Sequence, residues 1–136
     1  MKQLLFLILT FGSTLKSLET NFHTPNNTKD LNLVTTEDGS ISLHSNLYNE
    51  TFHYKEGAIK ESLVKFVKPS ELYRFHQGDK VYVMDICFGL GYNTCCLLEY
   101  IIQNKLKVEV VGLEIDTKPL EMALSHNVFH KTWSKE

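Results

Sequence analysis

The 136-residue chain lacks the excess of basic residues that a nucleic-acid coat protein would carry. Fourteen Lys and Arg residues stand against sixteen Asp and Glu residues, which leaves a formal net charge of −2. This balance argues against such a coat protein but leaves room for a small local contact with RNA. Internal repeats and low-complexity tracts are also absent. The 43% hydrophobic and 22% charged residues predict a packed core in a single domain at most.

Cysteine is scarce, and its arrangement excludes two common uses. Cys87, Cys95 and Cys96 form neither an even-numbered disulfide framework nor a CxxC zinc pattern. Because all three lie inside apolar runs, we expect buried, reduced thiols, as in a cytoplasmic protein. No metal site is predicted. His126 and His130 have the i, i+4 spacing that can bind a metal, but no third ligand type clusters with them, so we expect a surface pair.

The apolar run at residues 4–9 is too short to cross a bilayer, which takes about 20 apolar residues. It follows a single positive charge and resembles the start of a secretory signal, but no small-x-small cleavage pair comes after it. Sequons at Asn26 and Asn49 would suit secretion. We favour a cytoplasmic protein with no membrane partner, in which residues 1–30 are an apolar segment and a linker. That segment either packs on the domain or extends loosely from it. Secretion with a signal peptide is the alternative.

Residues 31–79 predict a β-hairpin and a helical lead-in. Asp38–Gly39 between two β-prone runs is a strong hairpin signal, because the tight turn needs positive φ angles. Ile41 and Leu43 alternate with polar residues, which predicts one buried face. A helix over residues 56–67, ended by Pro69, is predicted from an apolar stripe at i, i+4, i+7 and i+8. The stripe consists of Ile59, Leu63, Phe66 and Val67.

Residues 80–136 predict part of a Rossmann-like domain. A β-prone run at 80–86 reads as a strand buried on both faces. A glycine-bearing turn follows, then a nearly all-apolar helix over 93–102, a second strand over 107–115 and a second helix from 118 to about 128. Strand, glycine turn, helix, strand, acid and helix open a doubly wound α/β fold.

The candidate ligand site lies between Asp85 and Glu114. Gly89 and Gly91 let the backbone turn sharply and approach a ligand, and the amides that begin the helix near Asn93 would face a polar or anionic group. Glu114 ends the next strand, where a carboxylate can accept hydrogen bonds from both hydroxyls of a ribose. These groups converge at the carboxyl edge of the sheet, which predicts a site for a nucleoside-containing cofactor.

The spacing of the glycines favours S-adenosylmethionine over a dinucleotide. Dinucleotide sites favour G-x-G-x-x-G, and here Thr94 replaces the third glycine. An acid just before the turn, Asp85, suits S-adenosylmethionine better because no pyrophosphate competes for that space. An NAD-dependent oxidoreductase is therefore a distant alternative.

The segment Asp85-Ile-Cys-Phe-Gly-Leu-Gly-Tyr-Asn-Thr94 resembles the glycine loop of MnmC-like methyltransferases. Residues 36–40 and 48–53, together with residues 56–58 and Glu61, resemble the N-terminal hairpin and helix of that family, and residues 112–116 with 118–120 resemble its second motif. The resemblance covers about residues 33–125. Cys87 departs from the D-x-G-x-G-x-G pattern usual in class I methyltransferases. The fold implied is α/β, with an N-terminal β-hairpin and helix followed by the first half of a Rossmann-like class I methyltransferase sheet.

The resemblance implies methyl transfer from S-adenosylmethionine to the exocyclic aminomethyl nitrogen of a tRNA wobble uridine. Gly89 and Gly91 would flank the methionine and ribose, Glu114 would hold the ribose hydroxyls, and Asp116 would lie near the adenine. Asp85 would shape the loop or bind the methionine amino group. The implied cofactor-binding set is completed by Phe88, Asn93 and Ile115. No flavin site is expected.

The catalytic residue remains unknown from this sequence. In the family, an acid near the transferred methyl lies on a later strand in an Asp-x-Phe-x-Pro-like segment, and the chain stops at Glu136 before any such segment. We expect a truncated chain with weak or absent catalysis alone. His53 is expected to be a hydrogen-bonded structural histidine, although it could approach the substrate. The alternative function is a non-catalytic α/β module, possibly secreted, with no cofactor; the oligomeric state is open.

Overall fold

The computed structural model describes the backbone of residues 5–9 and all of residues 30–126. The strands are β1 (Leu5–Leu9), β2 (Leu31–Thr35), β3 (Ile41–Ser45), β4 (Glu50–Thr51), β5 (Lys80–Ile86) and β6 (Lys107–Glu114). The helices are α1 (Ala58–Ser62), α2 (Tyr92–Gln103) and α3 (Lys118–Ser125). A π-helical turn over Leu63–Val67 extends α1, and a 3₁₀ turn covers Leu72–Arg74.

One sheet contains the predicted parallel pair. β5 and β6 run parallel, in a register that places Val83 opposite Val110, and α2 connects them. Strand β1 pairs antiparallel with the other side of β6, so that the order is β1-β6-β5. Residues 5–9 therefore join the sheet of the domain. This agrees with the expectation that the apolar segment packs on the domain and not with a loose extension. The polar linker, the Asn26 sequon and His130 lie outside the described residues.

The second sheet is the predicted hairpin with one short addition. β2 and β3 pair antiparallel around a turn in which Gly39 has a φ of 80°, and the two-residue strand β4 pairs with β3. The Asp38 carboxylate accepts a hydrogen bond from the backbone amide of Lys60 at 3.0 Å. That amide belongs to the first turn of α1, so the hairpin turn caps the helix that follows it.

Two clusters of buried side chains hold these elements together. In the first, Leu43 of the hairpin, Ala58 of α1, Tyr92 of α2 and Ala123 of α3 pack around Leu90. The Tyr92 hydroxyl donates to the Ile41 carbonyl at 2.7 Å and so fixes α2 to β3. The second cluster packs α2 onto one face of β5 and β6, and its buried members are Leu72, Val81, Ile101 and Leu106.

The expectation that β5 is buried on both faces is wrong. Val81 and Asp85 are 7% and 8% exposed, whereas Tyr82, Met84 and Ile86 are 65–71% exposed. Successive side chains of a strand point to opposite faces, and among the described elements α2 covers only the face that carries Val81.

Two further expectations from periodicity are corrected. β3 is buried on both faces, because Ser42 is fully buried and its hydroxyl bonds the ring of His53. In the second case, the chain is helical over 58–67, but α1 ends at Ser62 and the stripe is not a buried face: Leu63 is 43% exposed and Phe66 is 45% exposed. In the π turn the Lys68 amide bonds back to the Leu63 carbonyl, five residues earlier. This turn is wider than that of an α-helix, so the α-helical spacing from which the apolar stripe was predicted does not hold here.

No helix within the described ranges is long and apolar enough to cross a membrane.

Candidate functional site

The glycine loop and the end of β6 meet at the carboxyl edge of the parallel sheet. The Gly89 amide donates to Glu114 Oε2 at 2.6 Å, although 25 residues separate the two along the chain. Glu114 Oε1 accepts from the amides of Ile115 and Asp116 at 2.7 and 3.1 Å. The amides of Cys87 and Phe88 both donate to the Leu113 carbonyl, so the loop is also joined to the backbone of β6 just before Glu114.

The loop backbone takes left-handed conformations at three alternate residues. The φ angles are 63° at Cys87, 54° at Gly89 and 78° at Gly91, which is the residue that precedes α2. Such angles cost an L-residue energy but cost glycine little. Cys87, the departure from the usual motif, thus carries a side chain in a conformation that favours glycine.

Phe88 is buried beneath the loop, where two glycines make room for its ring. A Cβ atom on Gly91 would lie 2.8 Å from Phe88 Cε1, and one on Gly112 would lie 2.8 Å from Phe88 Cδ2. Real Cβ atoms do not approach that closely, so both positions need glycine while the ring stays in place. Phe88 is 7% exposed, so its ring supports the loop from below.

Asp85 reaches the first turn of α2. Its Oδ2 accepts a hydrogen bond from the Thr94 hydroxyl at 2.6 Å, and both side chains are buried. Burial raises the pKa of Asp85 and outweighs the lowering by Thr94, while the neighbouring Glu114 carboxylate raises it further. Thr94, which replaces the third glycine of the dinucleotide pattern, therefore fills the helix start and binds the acid before the turn.

A cleft of about 140 Å³ lies on the other side of the loop, between the loop and the lead-in. Gly89 and Asn93 line it together with four residues of the hairpin and helix segment: Phe52, His53, Glu61 and Phe66. Of these four, only His53 is expected from the sequence to be able to approach the substrate. Ser62 donates to Asn93 Oδ1 at 2.8 Å, so α1 holds the amide of Asn93 in place. Because the segments that these contacts join are about 30 to 40 residues apart, no local pattern reveals them. The signals in the sequence are the resemblances of residues 48–53 and of Glu61 to the family.

His53 is fixed on one side by a buried partner. Its Nδ1 lies 2.9 Å from Ser42 Oγ, and its ring packs edge-on against Tyr92 at 5.1 Å between centroids. Burial lowers the pKa of His53 more than the Glu61 and Asp38 carboxylates raise it, so the ring is neutral at pH 7. A hydrogen-bonded histidine is what the sequence predicts, and it also lines the cleft.

Ile115 and Asp116 follow the end of β6. Ile115 is 58% exposed, and Asp116 Oδ1 accepts from the Lys118 amide at 3.1 Å at the start of α3. The structure thus brings together the loop, Asp85, Asn93 and Glu114, and places Ile115 and Asp116 beside Glu114. A larger cavity of about 560 Å³ lies at the opposite end of the sheet, but it is lined mainly by apolar residues near Ile101 and Leu106.

The expectation of three buried thiols is wrong for Cys87, which is exposed in the loop and lines the cleft. Cys96 is buried and Cys95 partly so. Burial raises the pKa of each of these two thiols to about 11. The two helical cysteines are therefore unreactive thiols, while Cys87 is accessible.

The basic residues of the lead-in are mostly paired. Four of them, Lys55, Lys65, Arg74 and Lys80, form ion pairs with nearby carboxylates. Residues 55–80 contain six Lys and Arg residues against four Asp and Glu residues, and these ion pairs largely neutralise that slight excess of positive charge. Within residues 30–126, no group of three or more His, Cys, Asp and Glu side chains is arranged to hold a metal ion.

Comparisons with known proteins address the fold of the chain. No family model matches the chain. The crystal structure of MnmC2 from Aquifex aeolicus is similar to it with a TM-score of 0.56 and 37% sequence identity, over 63% of this chain and 29% of the MnmC2 chain. An uncharacterized protein of Methanocaldococcus jannaschii is 36% identical over 99 residues, which are 73% of this chain and 26% of that protein.

The chain therefore spans less than a third of the length of these relatives. The similarity to MnmC2 supports an MnmC-like relation. It also confirms the fold prediction: an α/β structure in which a β-hairpin and helix precede the first half of a Rossmann-like, methyltransferase-type sheet.

Proposed function

We propose that this chain forms the cofactor-binding part of an S-adenosylmethionine-dependent methyltransferase that modifies the aminomethyl group of a tRNA wobble uridine. The observation that carries the proposal is the 2.6 Å contact between the Gly89 amide and Glu114, which places a glycine loop and a strand-terminal carboxylate at one sheet edge. Ligands of doubly wound folds bind at this edge. The tRNA substrate and a cytoplasmic location rest on the likeness to MnmC2 and on the resemblance of the loop.

The charge around the loop fits a cationic cofactor. Asp85 and Glu114 both lie at the loop, and Glu61 lines the adjoining cleft. Of these three carboxylates, only Glu61 has a cationic partner in the described part of the chain, which is Lys65. A dianionic pyrophosphate would be repelled here, whereas a sulfonium and an ammonium would be attracted.

The stereochemistry also fits an adenosyl group. Glu114 already accepts three backbone hydrogen bonds, but two carboxylate oxygens offer about four lone-pair sites, so it keeps capacity for a ribose hydroxyl. A Cβ atom on Gly89 would make an ordinary contact with Phe52 at 3.8 Å, so it is the φ angle of 54° that favours glycine at this point of the loop. Asn93 accepts from Ser62 through Oδ1, which leaves its amide nitrogen as a donor within the cleft.

The reactive methyl group would be supplied by the sulfonium of the bound cofactor. The residues of this chain would bind and orient the methyl donor. Glu114 and the loop would bind its nucleoside, and the cleft would bind the remainder of the ligand. The chain spans 29% of the MnmC2 chain, so the activity of a whole enzyme is not assigned to this chain alone.

The test is calorimetric titration of the full chain with S-adenosylmethionine, S-adenosylhomocysteine and NAD. We expect the two adenosyl ligands to bind and NAD not to bind. Glu114→Gln should weaken adenosyl binding about 10-fold or more, since it removes a charged acceptor at a ribose. Glu109→Gln is the matched control, because Glu109 lies on the same strand but pairs with Lys80 away from the loop.

Circular dichroism should show that both variants stay folded. Binding of NAD with no binding of the adenosyl ligands would favour the oxidoreductase alternative. Binding of none of the three would favour a module without a cofactor.

A further inference from the structure

Glu61, which lines the cleft beside the glycine loop, already binds one primary ammonium group, that of Lys65. Its Nζ lies 2.8 Å from Glu61 Oε1 and 3.5 Å from the centre of the Tyr54 ring. Glu61 Oε2 accepts the Tyr54 amide at 2.9 Å, which fixes the carboxylate against β4 and the turn that follows. A carboxylate and an aromatic face are the two groups that bind alkylammonium ions.

We propose that Glu61 is the binding residue for an ammonium group of a ligand, and that Lys65 is a built-in competitor which this ligand displaces. The proposal deepens the proposed function and rests on it for the identity of the ligand. The ammonium would belong either to the amino-acid end of the cofactor or to the aminomethyl group of the nucleoside substrate.

Burial and position favour a ligand group over a purely structural ion pair. The Glu61 side chain is only 15% exposed, whereas that of Lys65 is 42% exposed on the π turn. Ion pairs with one partner so exposed contribute little stability, so Lys65 can leave at small cost. Glu61 faces the cleft together with Phe52 and Phe66, two exposed rings that a cationic or aromatic group of a ligand can contact.

The cleft also adjoins the nucleoside site. Gly89 connects the two, because it lines the cleft and its amide also donates a hydrogen bond to Glu114. A ligand held at Glu114 therefore presents its remaining groups at a high effective concentration to Glu61. His53, the other titratable group lining the cleft from the lead-in, is neutral at pH 7 and adds no competing positive charge.

The experiment compares two pairs of compounds on the full chain by calorimetry. S-adenosylhomocysteine has an amino-acid end that 5′-methylthioadenosine lacks, and 5-aminomethyluridine has an amine that 5-methyluridine lacks. The variants are Glu61→Gln, Lys65→Met and, as matched control, Lys68→Met, which removes an exposed lysine three residues further along the same segment.

Glu61→Gln should weaken the amine-bearing member of one pair about 10-fold and leave its partner unchanged, because a charge-assisted hydrogen bond is lost. Lys65→Met should tighten the same compound about 2- to 5-fold by removing the competitor. Lys68→Met should change neither. The pair that responds identifies the source of the ammonium.

The inference is overturned if Glu61→Gln and Lys65→Met leave the affinity ratio within both pairs unchanged, or if the wild-type chain binds no amine-bearing compound. Should Glu61→Gln fail to fold by circular dichroism, Lys65→Met decides alone, since the Lys65 side chain is 42% exposed. A response limited to the uridine pair, with no binding of either adenosine compound, would refute the cofactor proposal and keep the ammonium site.

Discussion

Asp38 is the residue whose replacement tests most directly how the hairpin supports the candidate site. Its Oδ1 accepts hydrogen bonds from the Ser40 amide at 2.9 Å, the Ser40 hydroxyl at 2.6 Å and the Thr36 hydroxyl at 2.9 Å. Its Oδ2 accepts the Lys60 amide in α1. Asp38→Asn keeps the shape of the side chain but places an NH₂ group where at least one N–H donor now points.

The magnitude follows from the titration of this carboxyl. Burial alone would raise the pKa of Asp38, but the hydrogen bonds from Ser40, Lys60 and Thr36 outweigh it and lower the pKa from 3.8 to about 2. One pH unit corresponds to about 1.4 kcal/mol of differential stabilisation. The Asp38 side chain is largely exposed and screened by solvent. We therefore take about half of the stabilisation that this pKa shift implies, and expect the charge of Asp38 to contribute about 1 kcal/mol to the free energy of unfolding.

The sign of the pH dependence is fixed by the lowered pKa. A carboxyl whose pKa is lower in the folded than in the unfolded state stabilises the fold fully above the unfolded value, and this stabilisation disappears as the pH falls from about 3.8 towards 2. Urea denaturation at several values between pH 6 and pH 2.5 should therefore show Asp38→Asn less stable by about 1 kcal/mol at pH 6. The difference should shrink towards the acid end.

The matched control is Glu56→Gln, which removes an exposed carboxylate just before α1 and should leave stability unchanged. A stability loss for Asp38→Asn that is the same at every pH would mean that geometry rather than charge is responsible. No loss at pH 6 would refute the capping argument.

Three further outcomes test the loop. Cys87→Gly should stabilise the chain by about 0.5–1 kcal/mol in urea denaturation, because cysteine pays an energetic cost for the left-handed φ of 63° that glycine does not pay. A loss of stability would contradict this. Iodoacetamide should modify the exposed Cys87 well before Cys95 or Cys96, whose thiols have a pKa of about 11. S-adenosylhomocysteine should slow the modification of Cys87, and mass spectrometry of the labelled peptides measures both effects. Gly112→Ala should cost about 1–3 kcal/mol through its clash with the Phe88 ring, and Phe88→Leu in the same chain should recover part of the loss; additive costs would refute the clash.

The parallel unit was predictable from sequence because local signals agree there. A β-prone run, alternate glycines and an acid at the next strand end specify a strand, a turn and a second strand, and the carboxyl ends of parallel strands share one edge. The contact between Gly89 and Glu114 follows from that topology alone. Exposure of one face of β5 did not follow, since a run of apolar residues looks the same whether one face or both are covered.

The lead-in half of the site was less predictable, because long-range contacts determine it. Ser62 meets Asn93 across 31 residues, and Tyr92 meets Ile41 across 51. Neither contact leaves a periodic trace in the sequence. By its place in the helical pattern Glu61 is a solvated residue, and its resemblance to the family is the one sequence signal of another role. The packing of α1 against α2 places it in the cleft beside the loop.

These contacts make the hairpin and α1 one wall of the binding site, so stability and ligand binding should be coupled. Asp38 holds the first turn of α1, and the same helix carries Glu61 and, through Ser62, positions Asn93. Loosening α1 costs the ligand part of its binding energy, because the site must be ordered before it can bind. A ligand at 100 times its dissociation constant adds about 2.7 kcal/mol to the free energy of unfolding. Asp38→Asn should therefore lower not only the stability but also the stabilisation that S-adenosylhomocysteine provides, whereas a capping role confined to the hairpin would leave that increment unchanged.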